Sequence, residues 1–166
     1  MKHKARITAA AIIVSLVISG FTVEAATNRD KQRISEKQLI AYTEEIGQQY
    51  GICPELLQAI AERESNLHIY ATNGTCKGLM QISDKWHRDR MERLGVTNIY
   101  DAYGSILLAA DYLAELAEEN GDLYYVLMRY NMKKSTADKL YEAGEYTDYA
   151  VEIAERSAEL ERLHGK

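Results

Sequence analysis

Apolar residues recur every three or four positions along most of this chain, the period of helices with one face against a core. Leu39, Tyr42, Ile46 and Tyr50 mark the first such helix; Ser35-Glu36-Lys37-Gln38 opens it as a capping box and Gly51 ends it. Pro54, at the favoured first-turn position, starts a second helix that runs to Glu64-Ser65. A polar loop from 67 to 77 holds the turn signal Asn73-Gly74, followed by a short helix expected around 78–82 and another over 84–94, stopped at Gly95. Ile106, Ala109, Ala110, Leu113 and Leu116 give the strongest stripe, within 104–119. Gly121 separates it from a helix over 123–130, and a turn at 131–134 leads to one ending at Gly144. The last helix spans 146 to 163, with Tyr149, Ile153, Ser157 and Leu160 on one side. Only a minor extended stretch near 68–72 departs from this pattern. The prediction is a single all-α domain over residues 35–166, preceded by a flexible leader over 26–34.

The second helix carries one charge on the wrong side. At about 100° per residue, Glu64 falls roughly 20° from Leu57, on the stripe that Ile60 and Ala61 fill. Glu55, Glu62 and Arg63 project elsewhere. A carboxyl group held against apolar surface resists ionising, and a raised pKa suits a general acid working near neutral pH. The plain alternative is a glutamate that merely reaches solvent from a frayed last turn.

The N-terminus reads as an export signal. Lys2, Lys4 and Arg6 precede an apolar stretch from Ile7 to Ile18, and Val23-Glu24-Ala25 offers small residues before a cleavage site. That run is short for a membrane span, so stable membrane insertion after cleavage is not expected, although an uncleaved anchor is the alternative. Residues 1–25 are therefore read as a signal peptide and the rest as exported to the periplasm, cell wall or exterior. The whole chain has net charge −5, and the signal is basic, so the remainder is more acidic still. Such a charge disfavours nucleic acid and anionic membrane surfaces as partners.

Two cysteines remain, Cys53 and Cys76. In an oxidising compartment they form a possible disulfide closing a loop around Glu64, worth on the order of 3 kcal/mol. Two separate buried thiols are the alternative. The four histidines are scattered and no Cys/His cluster has ligand spacing, so neither a metal nor a cofactor is expected.

Taken in order, Glu64-Ser65, Gly78-Leu79-Met80-Gln81, Tyr130-Asn131 and Glu145-Tyr146-Thr147-Asp148-Tyr149 resemble the motif series of the soluble lytic transglycosylase catalytic domain, a lysozyme-like family related to goose-type lysozymes. The resemblance spans roughly residues 40–155. It implies an almost wholly helical lysozyme-like fold, peptidoglycan glycan strands as substrate, and Glu64 as lone catalytic acid and base. It further implies that Ser65, Met80, Gln81, Tyr130 and Asn131 contact the glycan and that Tyr149 positions Glu64. Ser65 could instead only terminate its helix, and Tyr149 could be a core tyrosine. Arg129 stands where the family has a small residue, Met132-Lys133-Lys134 follows where a glycine is common, and Tyr146 replaces the usual threonine. Trp86 is expected to plug the core, with a glycan platform as the alternative.

The mechanism that the resemblance implies is a substrate-assisted exception to two-carboxylate glycosidases. Protonated Glu64 cleaves the bond after N-acetylmuramic acid, then takes the proton of that sugar's C6 hydroxyl, closing a 1,6-anhydro ring. A goose-type muramidase would need a second carboxylate to activate water; Asp84 and Asp101 are the candidates, although a helix cap and a loop position explain them more simply. A non-catalytic glycan-binding or scaffold module is the third possibility. A cell-wall or secretion-machine partner would help to localise so small a domain.

Overall fold

The computed structural model describes residues 32–166. The export signal and most of the leader lie outside the described residues. The leader's last residue does not: Ile34 is buried, its N–H donates to the Leu67 carbonyl at 3.1 Å, and it belongs to the folded unit Ile34–Lys166.

Seven helices make up that unit: α1 (Glu36–Tyr50), α2 (Pro54–Ser65), α3 (Arg88–Leu94), α4 (Ala102–Glu119), α5 (Leu123–Asn131), α6 (Lys134–Glu142) and α7 (Asp148–Leu163). Each boundary follows local chemistry. Ser35 caps α1 by accepting from the Gln38 N–H and donating to Gln38 Oε1 at 2.7 Å, the expected box. Asp101, Asp122 and Thr147 cap α4, α5 and α7 in the same way. Asn66 ends α2 in the left-handed conformation (φ 49°) and turns the chain directly after Glu64.

The core lies around α2, which packs against α1, α4 and α7. Leu57, Ile60 and Ala61 are fully buried there, as are Ile106, Ala109 and Ala110 of α4 and Leu127 and Met128 of α5. Each large apolar side chain so buried contributes about 1.5–3 kcal/mol. The α7 stripe Tyr149, Ile153, Ser157 and Leu160 is buried as its spacing predicts. Glu55 also lies inside, at the far end of α2.

Two segments differ from expectation. Residues 78–82 form a tight turn rather than a helix. Lys77 pairs antiparallel with both Thr72 and Ile82, exchanging N–H···O bonds with Ile82 at 3.0 and 3.1 Å. Five residues are too few for periodicity to separate a turn from a helix. The stretch from Asp84 to His87 is also non-helical. Asp84 bonds Lys77 Nζ at 2.7 Å instead of capping a helix, and α3 starts only at Arg88. The extended stretch reduces to the bridge at Thr72.

The disulfide is not formed: Cys53 and Cys76 are separate free thiols. Cys53 precedes the first turn of α2, within hydrogen-bonding distance of Glu55 Oε2 (3.2 Å) and Glu161 Oε1 (3.4 Å). Cys76 instead feels the charge of Glu64, at the other end of that helix. Twelve helical residues separate those ends by about 18 Å, whereas a disulfide needs Cα atoms within about 7 Å. Burial pushes both thiols up from the ordinary cysteine range.

Candidate active site

Glu64 sits on the last turn of α2, half-buried above the apolar stripe, and its Oε1 accepts a 2.5 Å hydrogen bond from the Tyr149 hydroxyl. Tyr149 lies in the first turn of α7, itself 9% exposed, so a ring packed in the core delivers the hydroxyl. Burial pushes Glu64 up from the usual carboxylate range; the Tyr149 hydrogen bond and the Arg63 charge pull the other way without cancelling it. Arg63 stacks over the Tyr149 ring, 5.7 Å from its centroid, and pairs with Glu152 at 3.0 Å. Burial, with the Glu64 charge behind it, raises Tyr149 far beyond its ordinary value, so its proton stays on oxygen as a fixed donor.

The Gly78–Gln81 turn is held from below. Gly78 adopts φ 76°, and a Cβ there would collide with the Ile99 carbonyl, so only glycine fits. The Met80 N–H donates to the buried Ser105 hydroxyl at 3.1 Å, while the Met80 carbonyl accepts from the Tyr130 hydroxyl at 2.8 Å. The second and third motif blocks thus meet through a backbone atom. Gln81 closes the turn at φ 47°, an uncommon conformation for a residue with a side chain, and its Nε2 donates to the Gly78 carbonyl at 3.0 Å.

A cavity of about 520 Å³ opens beside these groups. Gln81, Tyr130 and Asn131 line it, together with Cys76 and Trp86. Glu64 itself does not line the cavity, but Cys76 and Tyr130 on its wall both feel the Glu64 charge. Burial first, and that charge second, push the Tyr130 hydroxyl well above its ordinary range.

Not every expected side chain reaches the cavity. Met80 is fully buried, so its side chain supports the turn from inside while its backbone carries the contacts. The Ser65 hydroxyl bonds back to the Ala61 carbonyl at 3.1 Å, which is the helix-terminating role of the two open to it. Trp86 does not plug the core; at 70% exposure it stands on the cavity rim. The segment around it failed to form a helix, which is why helical periodicity misplaced it. Ser105 went unnoticed in the sequence because a buried serine inside an apolar stripe carries no signal of its own.

The model of the transglycosylase SLT domain family matches residues 41–149. The chain belongs to that family. Its fold is also similar to that of the lytic transglycosylase Slt from Pseudomonas aeruginosa, solved as an inactive Glu-to-Gln mutant, with a TM-score of 0.66 at 16% identity. That likeness covers 75% of this chain and 24% of the other, so this chain spans about a quarter of that protein's length. The architecture is all-α and lysozyme-like.

The two aspartates that hydrolysis by this SLT domain could have recruited are engaged elsewhere. Asp101 caps α4 through the Gly104 N–H at 2.7 Å, and Asp84 is tied to Lys77. Among the described residues, the groups that shift Glu64 include no carboxylate.

Proposed function

We propose that this chain is an exported peptidoglycan lytic transglycosylase that cleaves the β-1,4 bond between N-acetylmuramic acid and N-acetylglucosamine, with Glu64 as single acid and base. One observation carries the proposal: Glu64 is a carboxyl group kept prone to protonation by burial and aimed by a tyrosine hydroxyl, with no carboxylate among the described residues acting on it. Family membership supports the reaction class.

The steps balance without water. Neutral Glu64 gives its proton to the glycosidic oxygen as the C1–O bond breaks, and the N-acetylglucosamine side departs as an alcohol. The 2-acetamido group of the muramic acid residue shares the positive charge left at C1. Glu64, now ionised, removes the C6 hydroxyl proton as O6 bonds C1, which closes the 1,6-anhydro ring and restores the acid. Tyr149 acts as a positioning residue throughout, because its hydroxyl fixes one carboxyl oxygen and leaves the other for the substrate. Gln81 and Asn131 offer amide donors and acceptors to sugar hydroxyl and acetamido groups.

Digestion of purified peptidoglycan followed by mass spectrometry of the muropeptides tests this. The expected products are one water lighter than ordinary reducing-end muropeptides. Reducing-end products would replace the proposal with a muramidase, and binding without products would replace it with a glycan-binding module. Appearance of the protein in the medium or wall fraction, lacking residues 1–25, tests export.

A further inference from the structure

Arg63 immediately precedes Glu64 on α2, yet its side chain reaches across to α7. Its Nε pairs with Glu152 Oε2 at 3.0 Å, and its guanidinium lies over the Tyr149 ring, 5.7 Å from the centroid. Tyr149 and Glu152 are three residues apart on α7, so one face of that helix presents both partners. Glu62, on the other side of Arg63 in sequence, is bound instead by Arg156 at 2.7 and 3.1 Å. As a device for stability the Arg63–Glu152 pair is weak, because both side chains are about half-exposed and such pairs add little to folding. Its place matters more. The cation stacks on the very ring whose hydroxyl bonds Glu64 Oε1 at 2.5 Å.

The charges around Glu64 single out the same residue. From α7 it meets the Tyr149 hydroxyl, from α5 it acts on Tyr130, and from the loop before the 78–82 turn on Cys76. Burial holds all three of those groups above their ordinary ranges, so each stays neutral. Among the described residues, Arg63 is the one cation whose field acts on the Glu64 carboxyl group. A single acid and base must be stable in two states: it keeps a proton until the glycosidic bond breaks, then persists as an anion until it takes the C6 hydroxyl proton. Burial serves the first state and penalises the second. A fixed guanidinium offsets that penalty without entering the proton transfers, since it keeps its charge throughout.

Resting on the single-residue transglycosylase reading above, we infer that Arg63 is a second positioning residue. Tethered by Glu152, it holds the Tyr149 ring in place and supplies the positive charge that steadies ionised Glu64 between its two proton transfers. Its action on the ring is that of a cation on an aromatic face, and its action on the carboxyl group is that of a nearby opposite charge. Tyr149 thus aims Glu64, while Arg63 aims Tyr149 and balances the burial of the acid.

The test titrates the Glu64 carboxyl carbon by NMR in labelled protein, beside a pH–rate series on peptidoglycan with the products read by mass spectrometry. Arg63→Gln removes both charge and stacking. Its Glu64 should titrate at higher pH than in wild type, with the alkaline limb of kcat/KM moving the same way. Its kcat should fall by about two- to five-fold, the rate equivalent of one exposed cation–π contact, with KM near the wild-type value. Arg63→Lys keeps the charge and should leave the titration and the limb in place. Glu152→Gln cuts the tether and should lower kcat without raising the titration. Melting temperatures near wild type are expected throughout; a failure of Arg63→Gln to fold would make Arg63 structural and overturn the inference. An unmoved titration in Arg63→Gln, an Arg63→Lys protein displaced as far as Arg63→Gln, or unchanged kcat in both Arg63→Gln and Glu152→Gln also overturns it. The titration needs no turnover, so the two readings fail separately. Reducing-end products with a raised titration in Arg63→Gln overturn the transglycosylase chemistry and leave Arg63 as a positioning residue, whereas anhydro products with an unmoved titration overturn Arg63 alone.

Discussion

The Tyr149 hydroxyl donates to Glu64 Oε1 at 2.5 Å, joining the first turn of α7 to the last turn of α2 across 85 residues of sequence. The bond favours the ionised carboxylate, so it opposes the burial that raises Glu64. Tyr149→Phe removes that opposition while keeping the packed ring. Glu64 then rises further, and the alkaline limb of the kcat/KM profile, where the free enzyme loses its acid, moves to higher pH. Loss of aim should lower kcat by about ten-fold, the order of one hydrogen bond. A pH–rate series on peptidoglycan for the two proteins checks both; an alkaline limb that stays in place removes Tyr149 from any role at the carboxyl group.

Glu64→Gln separates chemistry from stability. Removing the proton donor should cut turnover by about 10²–10⁴-fold, the usual worth of a general acid–base group. The folded pKa of Glu64 lies above its unfolded value, so the folded state favours the protonated form. Glu64 therefore adds stability at low pH that is lost as pH rises through its folded pKa. The Gln variant cannot ionise. Its melting temperature should match wild type in acid, exceed it increasingly as pH rises from the ordinary carboxylate range of about 4.5 toward the folded pKa, and hold a constant excess above it, which thermal scans across the range measure.

The long helices are legible in the sequence through their apolar stripes, and four of the seven also carry a capping side chain. Ser35, Asp101 and Thr147 stop the backbone where the apolar period begins. Glu64 was visible as a charge 20° from Leu57, and its partner Tyr149 followed from motif order rather than from periodicity. The polar loop over 67–77 is as its composition predicts, whereas the turns over 78–87 differ from the expected helices because short irregular segments have no period. Hence the 78–82 turn and the exposed Trp86 came only from the fold. The cysteines failed for another reason. Sequence spacing counts residues around a loop, whereas α2 sets a straight-line separation that a disulfide cannot span.

Gly78 is the position where a single methyl group should do most harm. It needs φ 76°, and an added Cβ would meet the backbone carbonyl of Ile99, which cannot swing aside as a side chain would. Gly78→Ala should destabilise the domain by about 2–4 kcal/mol, combining left-handed strain with a backbone clash. Because the Met80 carbonyl and Gln81 hang from the same turn, activity should fall by more than the folded fraction does. Denaturant unfolding and specific activity, measured on one preparation, distinguish the two losses.

The C-terminus makes the other end of α2 sensitive to pH. Burial opposes ionisation of Glu55, but hydrogen bonds from Lys166 Nζ (2.7 Å), His164 Nδ1 (2.9 Å) and Cys53 overcome it and hold the carboxyl group at about 2. Its folded pKa lies below the unfolded value. This stability is therefore complete above the ordinary carboxylate range of about 4.5 and drains away as pH falls toward about 2. Glu161, also near the Cys53 thiol, adds a second negative group and makes the cations more necessary. Deleting residues 164–166 strands the buried Glu55 charge. The truncated protein should be less stable at pH 7, by less than a fully buried pair would cost because Lys166 reaches solvent. The gap between truncated and intact protein should close in thermal scans as pH falls from 4.5 toward 2; a gap independent of pH would assign the loss to packing of the last turn instead.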